Sequence, residues 1–330
     1  MSNFWEKLNK PFFCLAPMYD VTDATFRQMF VKYGRPDVLF TEFVSADGLA
    51  SEQGREKLKR ELYFDKNEHP IVAQIFGSKS ETIKVAVKLI KELGFDGVDI
   101  NMGCPDRAVE KQGAGSALMK NPKRAQEIIL AAKEVAGDMP VSVKTRIGYN
   151  KIDTENWARI ILETKPSAVT FHLRTRKEMS KEDARWEEAE ILGRLGKEYN
   201  IPIICNGDVN SVEEGIELAE KYKIDGIMIG RGAFGKPWMF ADEAVRSRIS
   251  GSLEKRLLTA VEHARLFEDL YLPGPTNDRL FHGHTKNFSV MRKHFKAYVT
   301  GFKGALALRA KLMETQNADE VEKIIKDFLA

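Results

Sequence analysis

The chain has 330 residues, 43% of them hydrophobic and 30% charged, with a formal net charge of +3. This balance fits a soluble globular protein, and no apolar run approaches the ~20 residues that span a bilayer. The first ten residues contain no apolar core of a secretory signal, and cysteines at 14, 104 and 205 offer neither a disulfide framework nor a CxxC metal spacing, so a reducing cytoplasm is expected.

Eight short β-rich apolar runs follow one another: Phe12–Ala16, Val38–Phe43, Ile71–Phe76, Val98–Asn101, Val141–Thr145, Ala168–His172, Ile203–Asn206 and Ile227–Gly230. Helical periodicity lies between most of them, at Lys79–Leu93, Pro122–Ala136, Thr154–Glu163, Glu187–Tyr199 and Val212–Tyr222. Alternation of this kind predicts βαβ units and a parallel sheet. Eight units in this length fit a (β/α)8 TIM barrel, with a doubly wound open sheet as the alternative. Two connections are long, Met102–Met119 with Gly113 and Gly115, and Arg174–Arg185; long loops of this kind often act as lids. Beyond about Ser250 the rhythm stops, and Glu254–Tyr271, Asn287–Thr300 and Leu306–Thr315 read as helices. The expected organisation is α/β, with a TIM-barrel catalytic domain over residues 1–245 and a small all-helical domain over 246–330.

Chemistry is expected where the strands end. The residues there are Ala16-Pro17-Met18, Glu42, Gln74, Asn101-Met102-Gly103-Cys104, Lys144-Thr145-Arg146, His172, Asn206-Gly207-Asp208 and Gly230-Arg231-Gly232. Hydrogen-bonding and cationic groups are concentrated on one face. Glycines after the seventh and eighth runs suit a phosphate held on backbone N–H groups. Cys104 sits before Pro105, which stops the strand and holds the thiol on a rigid loop. No metal-ligand spacing, GxGxxG or P-loop is present. The inventory fits a phosphate-ended planar cofactor such as FMN, and it equally admits a sugar-phosphate enzyme using Lys144 as a Schiff base.

The order of motifs narrows the choice. Ala16-Pro17-Met18 with Val21-Thr22-Asp23 and Phe26-Arg27, then Asp99-Ile100-Asn101-Met102-Gly103-Cys104-Pro105 followed by Gly115-Ser116-Ala117-Leu118, resembles the tRNA-dihydrouridine synthases. Thr41-Glu42, Gln74-Ile75-Phe76-Gly77, Lys144-Thr145-Arg146, His172-Leu173-Arg174-Thr175, Asn206-Gly207-Asp208 and Gly230-Arg231-Gly232 match in order, as do Arg292-Lys293-His294 and Gly301 in the tail. The resemblance spans roughly residues 12–240 and implies an FMN enzyme that reduces the uracil C5–C6 double bond in tRNA with NADPH. By that analogy Gln74, Lys144 and His172 meet the flavin ring. Asn206, Gly207, Gly230 and Arg231 hold its phosphate, and Ala16, Pro17, Met18 and Asp208 complete the cofactor site. Hydride passes from flavin N5 to C6, and Cys104, whose free thiol has a pKa of about 8.5, gives a proton to C5. The family usually has a Gly and an Asp-Trp pair after Arg174-Thr175-Arg176. Ser180-Lys181-Glu182 and Arg185-Trp186 stand here instead, a departure that bears on substrate positioning.

An extruded uridine needs a deep pocket beside a basic surface. Asn101, Arg146 and Arg174 are expected to contact substrate at the mouth, and Lys111 either reaches an RNA phosphate, steadies the lid or is a solvated charge. From Arg279 to Lys311 there is no Asp or Glu. There Arg292, Lys293 and Lys296 share a helix face expected to meet phosphates, while Phe288, Met291, Phe295 and Tyr298 form a stripe that reads as bundle core. Expected partners are tRNA and NADPH, with no membrane and no obligatory protein. Two other readings stay open: a flavin oxidoreductase of the dihydroorotate dehydrogenase type acting on a free pyrimidine, and a tRNA binder without catalysis.

Overall fold

The computed structural model describes residues 3–330. Nine strands form one sheet: β1 (Phe12–Leu15), β2 (Leu39–Phe40), β3 (Val44–Ser45), β4 (Ile71–Phe76), β5 (Gly97–Asn101), β6 (Val141–Arg146), β7 (Ala168–His172), β8 (Ile203–Asn206) and β9 (Gly226–Ile229). Every pairing is parallel and the order is β1-β9-β8-β7-β6-β5-β4-β2. A parallel bridge from Cys14 to Val38, with Leu15 N donating to Val38 O at 3.1 Å, brings β1 back beside the residues leading into β2. The sheet therefore curls into a TIM barrel with helices outside it, as the βαβ alternation predicts. The Val38–Phe43 run is not one strand. Only Leu39–Phe40 of it is strand β2, and β3 follows just beyond its end; the two pair β4 at different heights, because Thr41 and Glu42 turn inward between them to make buried polar contacts.

Residues alternate between the two faces of each strand, and the inward series changes character along the barrel axis. Phe12, Cys14, Val38, Phe40, Val72, Ala168, Ile204 and Met228 pack with Trp5 as an apolar core. Further along the same faces stand Gln74, Asn101, Lys144, Arg146, His172 and Asn206 around a cavity. The outward residues, among them Leu15, Ile75, Ile100, Val143, Phe171 and Ile229, pack under the surrounding helices in a larger cluster. The helices Pro122–Ala136 and Val212–Tyr222 coincide with the periodic segments, and Asn121 and Ser211 cap them by accepting from Arg124 N and Glu214 N.

A separate apolar cluster gathers Leu257, Phe267, Tyr271, Phe288, Met291, Phe295, Tyr298 and Ile325 around the helix Leu253–Tyr271. The stripe Phe288, Met291, Phe295 and Tyr298 lies inside it and is buried. A helix at Glu243–Ser250 runs through the 245/246 position. The helical region docks on Ala24–Tyr33: Tyr271 Oη accepts from Ala24 N at 3.2 Å, and Tyr33 Oη donates to Glu262 at 2.5 Å. His294 is packed between Phe26 and Phe234, with ring centroids 5.1 Å and 5.8 Å away. Among the described residues no helix is long and apolar enough to cross a membrane.

Candidate active site

The cavity at the C-terminal mouth of the barrel has a volume of about 600 Å³, within the range of small-molecule sites. Parallel register assembles its wall. Arg146, His172, Asn206 and Met228 are lateral partners across four strands, and Asn101 partners Lys144. Residues 22 to 43 positions apart thus become neighbours at ladder spacing, about 4.8 Å.

Cys104 lines the cavity on a loop held from several sides. Asn101 Oδ1 accepts from Gly103 N at 3.1 Å and from Cys104 N at 2.9 Å, while Cys104 O accepts from Ser116 N at 3.0 Å. Arg146 Nε donates to Gly103 O at 2.7 Å. Gly115, at φ +59°, permits this packing, since a Cβ there would come within 2.8 Å of Cys104 O. Burial pushes the thiol pKa up, against the smaller opposing pull of the Asp106 amide and of Arg146 and Lys144. The group is therefore a thiol at neutral pH and can act as an acid.

Asn101 is oriented in turn. Its Nδ2 donates to Gln74 Oε1 at 2.9 Å, and Gln74 Nε2 donates to Asp99 Oδ2 at 2.7 Å. The other oxygen of Asp99 accepts from Ser142 Oγ at 2.7 Å. Asp99 is fully buried, and that desolvation raises its carboxyl to about 6, limited by the bonds from Ser142 and Gln74 and by Lys144.

Lys144 faces the cavity with one long contact, 3.5 Å to Asn206 Oδ1. Desolvation, with Arg146 beside it, brings its ammonium down to about 8. His172 is held far below the usual imidazole range by enclosure and by Arg146, Lys144, Arg174 and Arg231, so it is neutral. Arg174 Nη1 lies 3.0 Å from His172 Nε2. A guanidinium only donates, so Nε2 accepts and the ring hydrogen sits on Nδ1.

The two arginines expected to touch substrate at the mouth line the cavity, but most of their donors are spent on the protein. Arg146 also donates to Thr175 O at 3.1 Å and Met179 O at 2.8 Å, joining the Cys104 loop to the loop after β7. Arg174, 2% exposed, donates to Glu182 O at 2.6 Å and pairs with Asp208. Asp208, at φ +56°, also takes Arg231 at 2.7 Å and Ala184 N at 2.9 Å. Its role here is to hold two arginines and a loop, since a carboxylate offers no donor to a phosphate. The segment that departs from the family pattern closes this side: Ser180 lines the cavity and Trp186 Nε1 donates to Gly207 O at 2.9 Å. Arg176 pairs with Glu110, which also accepts from Tyr149 Oη at 2.8 Å and Ser116 Oγ at 2.9 Å, so the two long loops are latched together.

Every residue expected at the cofactor site lines this cavity: Ala16, Pro17, Met18, Gln74, Lys144, His172, Asn206, Gly207, Asp208, Gly230 and Arg231. The donor set fits a flavin. Lys144 and the Nδ1–H of His172 are cavity donors suited to an acceptor-rich ring edge, and Ala16, Pro17, Met18 and Met228 offer apolar wall for a flat ring. Gly207 and Gly232 sit where a Cβ would come within 2.6 Å of Ala184 and 2.3 Å of Val209 O, leaving bare backbone at this side of the cavity, suited to a phosphate. Asn101, Arg146 and Arg174 are also in the wall, whereas Lys111 is exposed outside it. Arg292, Lys293 and Lys296 lie in the helical region; Lys293 donates to Asp20 Oδ2 at 2.6 Å, and Lys296 is exposed. Asp99, Phe43 and Asn210 are additions to the expected set. Asp99 was visible as a lone charge in a buried strand run, while nothing local marks the other two. Among the described residues no group of three or more His, Cys, Asp or Glu side chains could hold a metal ion.

Known proteins resemble the chain over nearly its whole length. The family described as Dihydrouridine synthase (Dus) matches residues 14–330. The chain is 42% identical over 332 residues to a "Probable tRNA-dihydrouridine synthase" of Staphylococcus aureus strain Mu50, covering 99% of this chain and 96% of that one. It is 41% identical over 329 residues to "Probable tRNA-dihydrouridine synthase 2" of Bacillus subtilis strain 168, with the same coverage, 99% and 96%. Among solved structures, histamine dehydrogenase from Rhizobium sp. 4-9 superposes with a TM-score of 0.53 at 12% identity, over 77% of this chain and 48% of that one, a likeness of fold alone.

Proposed function

The chain belongs to the dihydrouridine synthase family, and on that basis we propose that it reduces the C5–C6 double bond of a uridine in tRNA, with FMN bound in the cavity and NADPH as reductant. The observation that carries this reading is one cavity lined both by a protonated thiol, Cys104, and by Gln74, Lys144 and His172. FMN held there would supply the hydride that saturates C6. Lys144 and neutral His172 orient the ring edge, and Lys144 brings positive charge to where negative charge collects. Cys104 gives its proton to C5; Lys144 and Arg146 then stabilise the thiolate until water restores the thiol. Asn101 fixes the thiol's position through the two amides it accepts. The reaction requires the base out of its stack, and the helical region that follows the barrel is the recognition surface in this reading, with Lys296 as an exposed cation. The site of action is the cytoplasm, where tRNA and NADPH occur together.

The test is direct. Protein reconstituted with FMN is incubated with NADPH and an unmodified tRNA transcript, and nucleosides are analysed by mass. The expected product is dihydrouridine at a single position. A yellow protein that consumes NADPH with a free pyrimidine and leaves the tRNA intact establishes the dihydroorotate-dehydrogenase-like reading instead.

A further inference from the structure

We propose that Tyr19 is a stacking platform for a base next to the target uridine, an inference that rests on the tRNA reading above. Tyr19 is 67% exposed and is the one aromatic among the large exposed hydrophobic side chains of the described residues. A single exposed apolar side chain is ordinary; three relationships set this one apart. First, it continues the cavity outward. Met18, next to it, and Phe43, beneath it, both line the cavity. The rings of Tyr19 and Phe43 are 5.6 Å apart at 37°, and Phe43 meets Phe76 edge-on at 5.8 Å. Phe43 and Cys104 pack against the same small cluster of Phe76, Val109 and Ala114. A ladder of rings therefore leads from the surroundings of the thiol to solvent.

Second, the turn that presents Tyr19 is rigid. Met18 N donates to Thr22 Oγ1 at 2.9 Å, and Met18 O accepts from Val21 N at 3.1 Å and Thr22 N at 3.0 Å. Asp20 holds a left-handed φ of +58° while its amide donates to Glu42 and its carboxylate and carbonyl take Lys293. A side chain ordered beforehand loses little freedom on binding. Third, the site lies where the barrel mouth meets the helical region, so a strand of RNA delivering a base to Cys104 passes it. Each base has a π-face, so stacking there is sequence-tolerant and steadies the strand while the uridine is extruded.

The experiment measures binding of an unmodified tRNA transcript to FMN-loaded protein without NADPH, so that the answer does not depend on turnover. Tyr19→Ala is expected to weaken binding about 5- to 100-fold, and Tyr19→Phe to stay within about twofold, with the flavin spectrum and the rate of flavin reduction by NADPH unchanged in both. Tyr19→Ala binding as tightly as the unaltered protein overturns the proposal, as does Tyr19→Phe being as damaging as Tyr19→Ala, since a hydroxyl contact is not stacking. An unaltered protein that binds tRNA and forms no dihydrouridine refutes the catalytic reading alone, and weaker binding by Tyr19→Ala still supports the platform.

Discussion

Lys286 of the helical region and Glu42 of the barrel meet at 2.8 Å with both side chains almost entirely buried. Asp23 lies 3.9 Å from the same ammonium, which also stands 4.8 Å over the ring of Tyr271. The second oxygen of Glu42 accepts from Asp20 N, and Asp20 pairs with Lys293. The basic tail is thus acid-free only along the chain. In space its two central lysines are answered by acids of the barrel mouth, and the two regions are joined beside the cavity.

Breaking this pair leaves a charge buried alone, at a cost of about 3–5 kcal/mol. Lys286→Ala is expected to lower unfolding stability by that amount in urea denaturation. The double variant Lys286→Met, Glu42→Gln keeps an acceptor for Asp20 N and is expected to recover at least half. A single variant that loses less than about 1 kcal/mol contradicts a closed, desolvated bridge.

Cys104→Ala is expected to keep FMN bound and to slow dihydrouridine formation about 100-fold or more. The sign of its pH dependence follows from burial. A thiol whose pKa is raised stays protonated further into alkali, so activity limited by this acid falls only above the ordinary thiol range. Single-turnover rates on tRNA between pH 7 and 10 check this; a decline already complete at pH 8 assigns the proton to another group.

Asp99 sets the amide direction of Gln74, and through it Asn101 and the Cys104 loop. Asp99→Leu leaves the Gln74 amide unpaired in a buried site and is expected to weaken FMN binding about tenfold or more. Asp99→Asn keeps an acceptor, so FMN affinity changes little. It removes the carboxylate that holds Lys144 up, so the pH at which that lysine loses its charge moves below about 8. Flavin titration followed across pH separates the two effects.

His263 and His294 pack edge-to-face at 4.6 Å between the barrel and the helical region. Desolvation, against Asp23 and Glu262, brings His263 to about 4, and desolvation with His263, Lys293 and Lys286 holds His294 well below the usual range. Folded pKa values below the unfolded value of about 6.5 mean that the unfolded chain binds the extra protons. Stability is therefore full above pH 6.5 and is lost as pH falls towards 4. His294 makes no hydrogen bond through either ring nitrogen, so His294→Phe is expected to retain packing and to flatten the loss between pH 7 and 5 by about 1–2 kcal/mol. Parallel slopes for the two proteins would falsify this assignment.

The strand runs and most of their helices were legible because burial on a barrel imposes periodicities of 2 and 3.6 that survive in one dimension. The wall of the cavity was legible for a related reason: a polar residue ending an apolar strand has nowhere to point but the mouth. The partners of Arg146, Arg174 and Lys293 were not legible. Each answers a carbonyl or carboxylate on another loop, and no local pattern records which charge a long side chain will reach. The early end of the strand within Val38–Phe43 was hidden for the same reason, since Glu42 turns inward to meet a lysine 244 positions away.

By itself, then, the amino-acid order marked the barrel and its polar end, because these depend on alternation within single strands, and it marked Cys104 by the turn residues around it and the order of motifs. Only the tertiary structure decided which cations face the cavity and which are held by the protein, how Asp99 orders the amides behind Cys104, and that Tyr19 stands exposed at the rim. Those depend on contacts between segments far apart in the chain, where desolvation and geometry choose among partners that composition leaves equivalent.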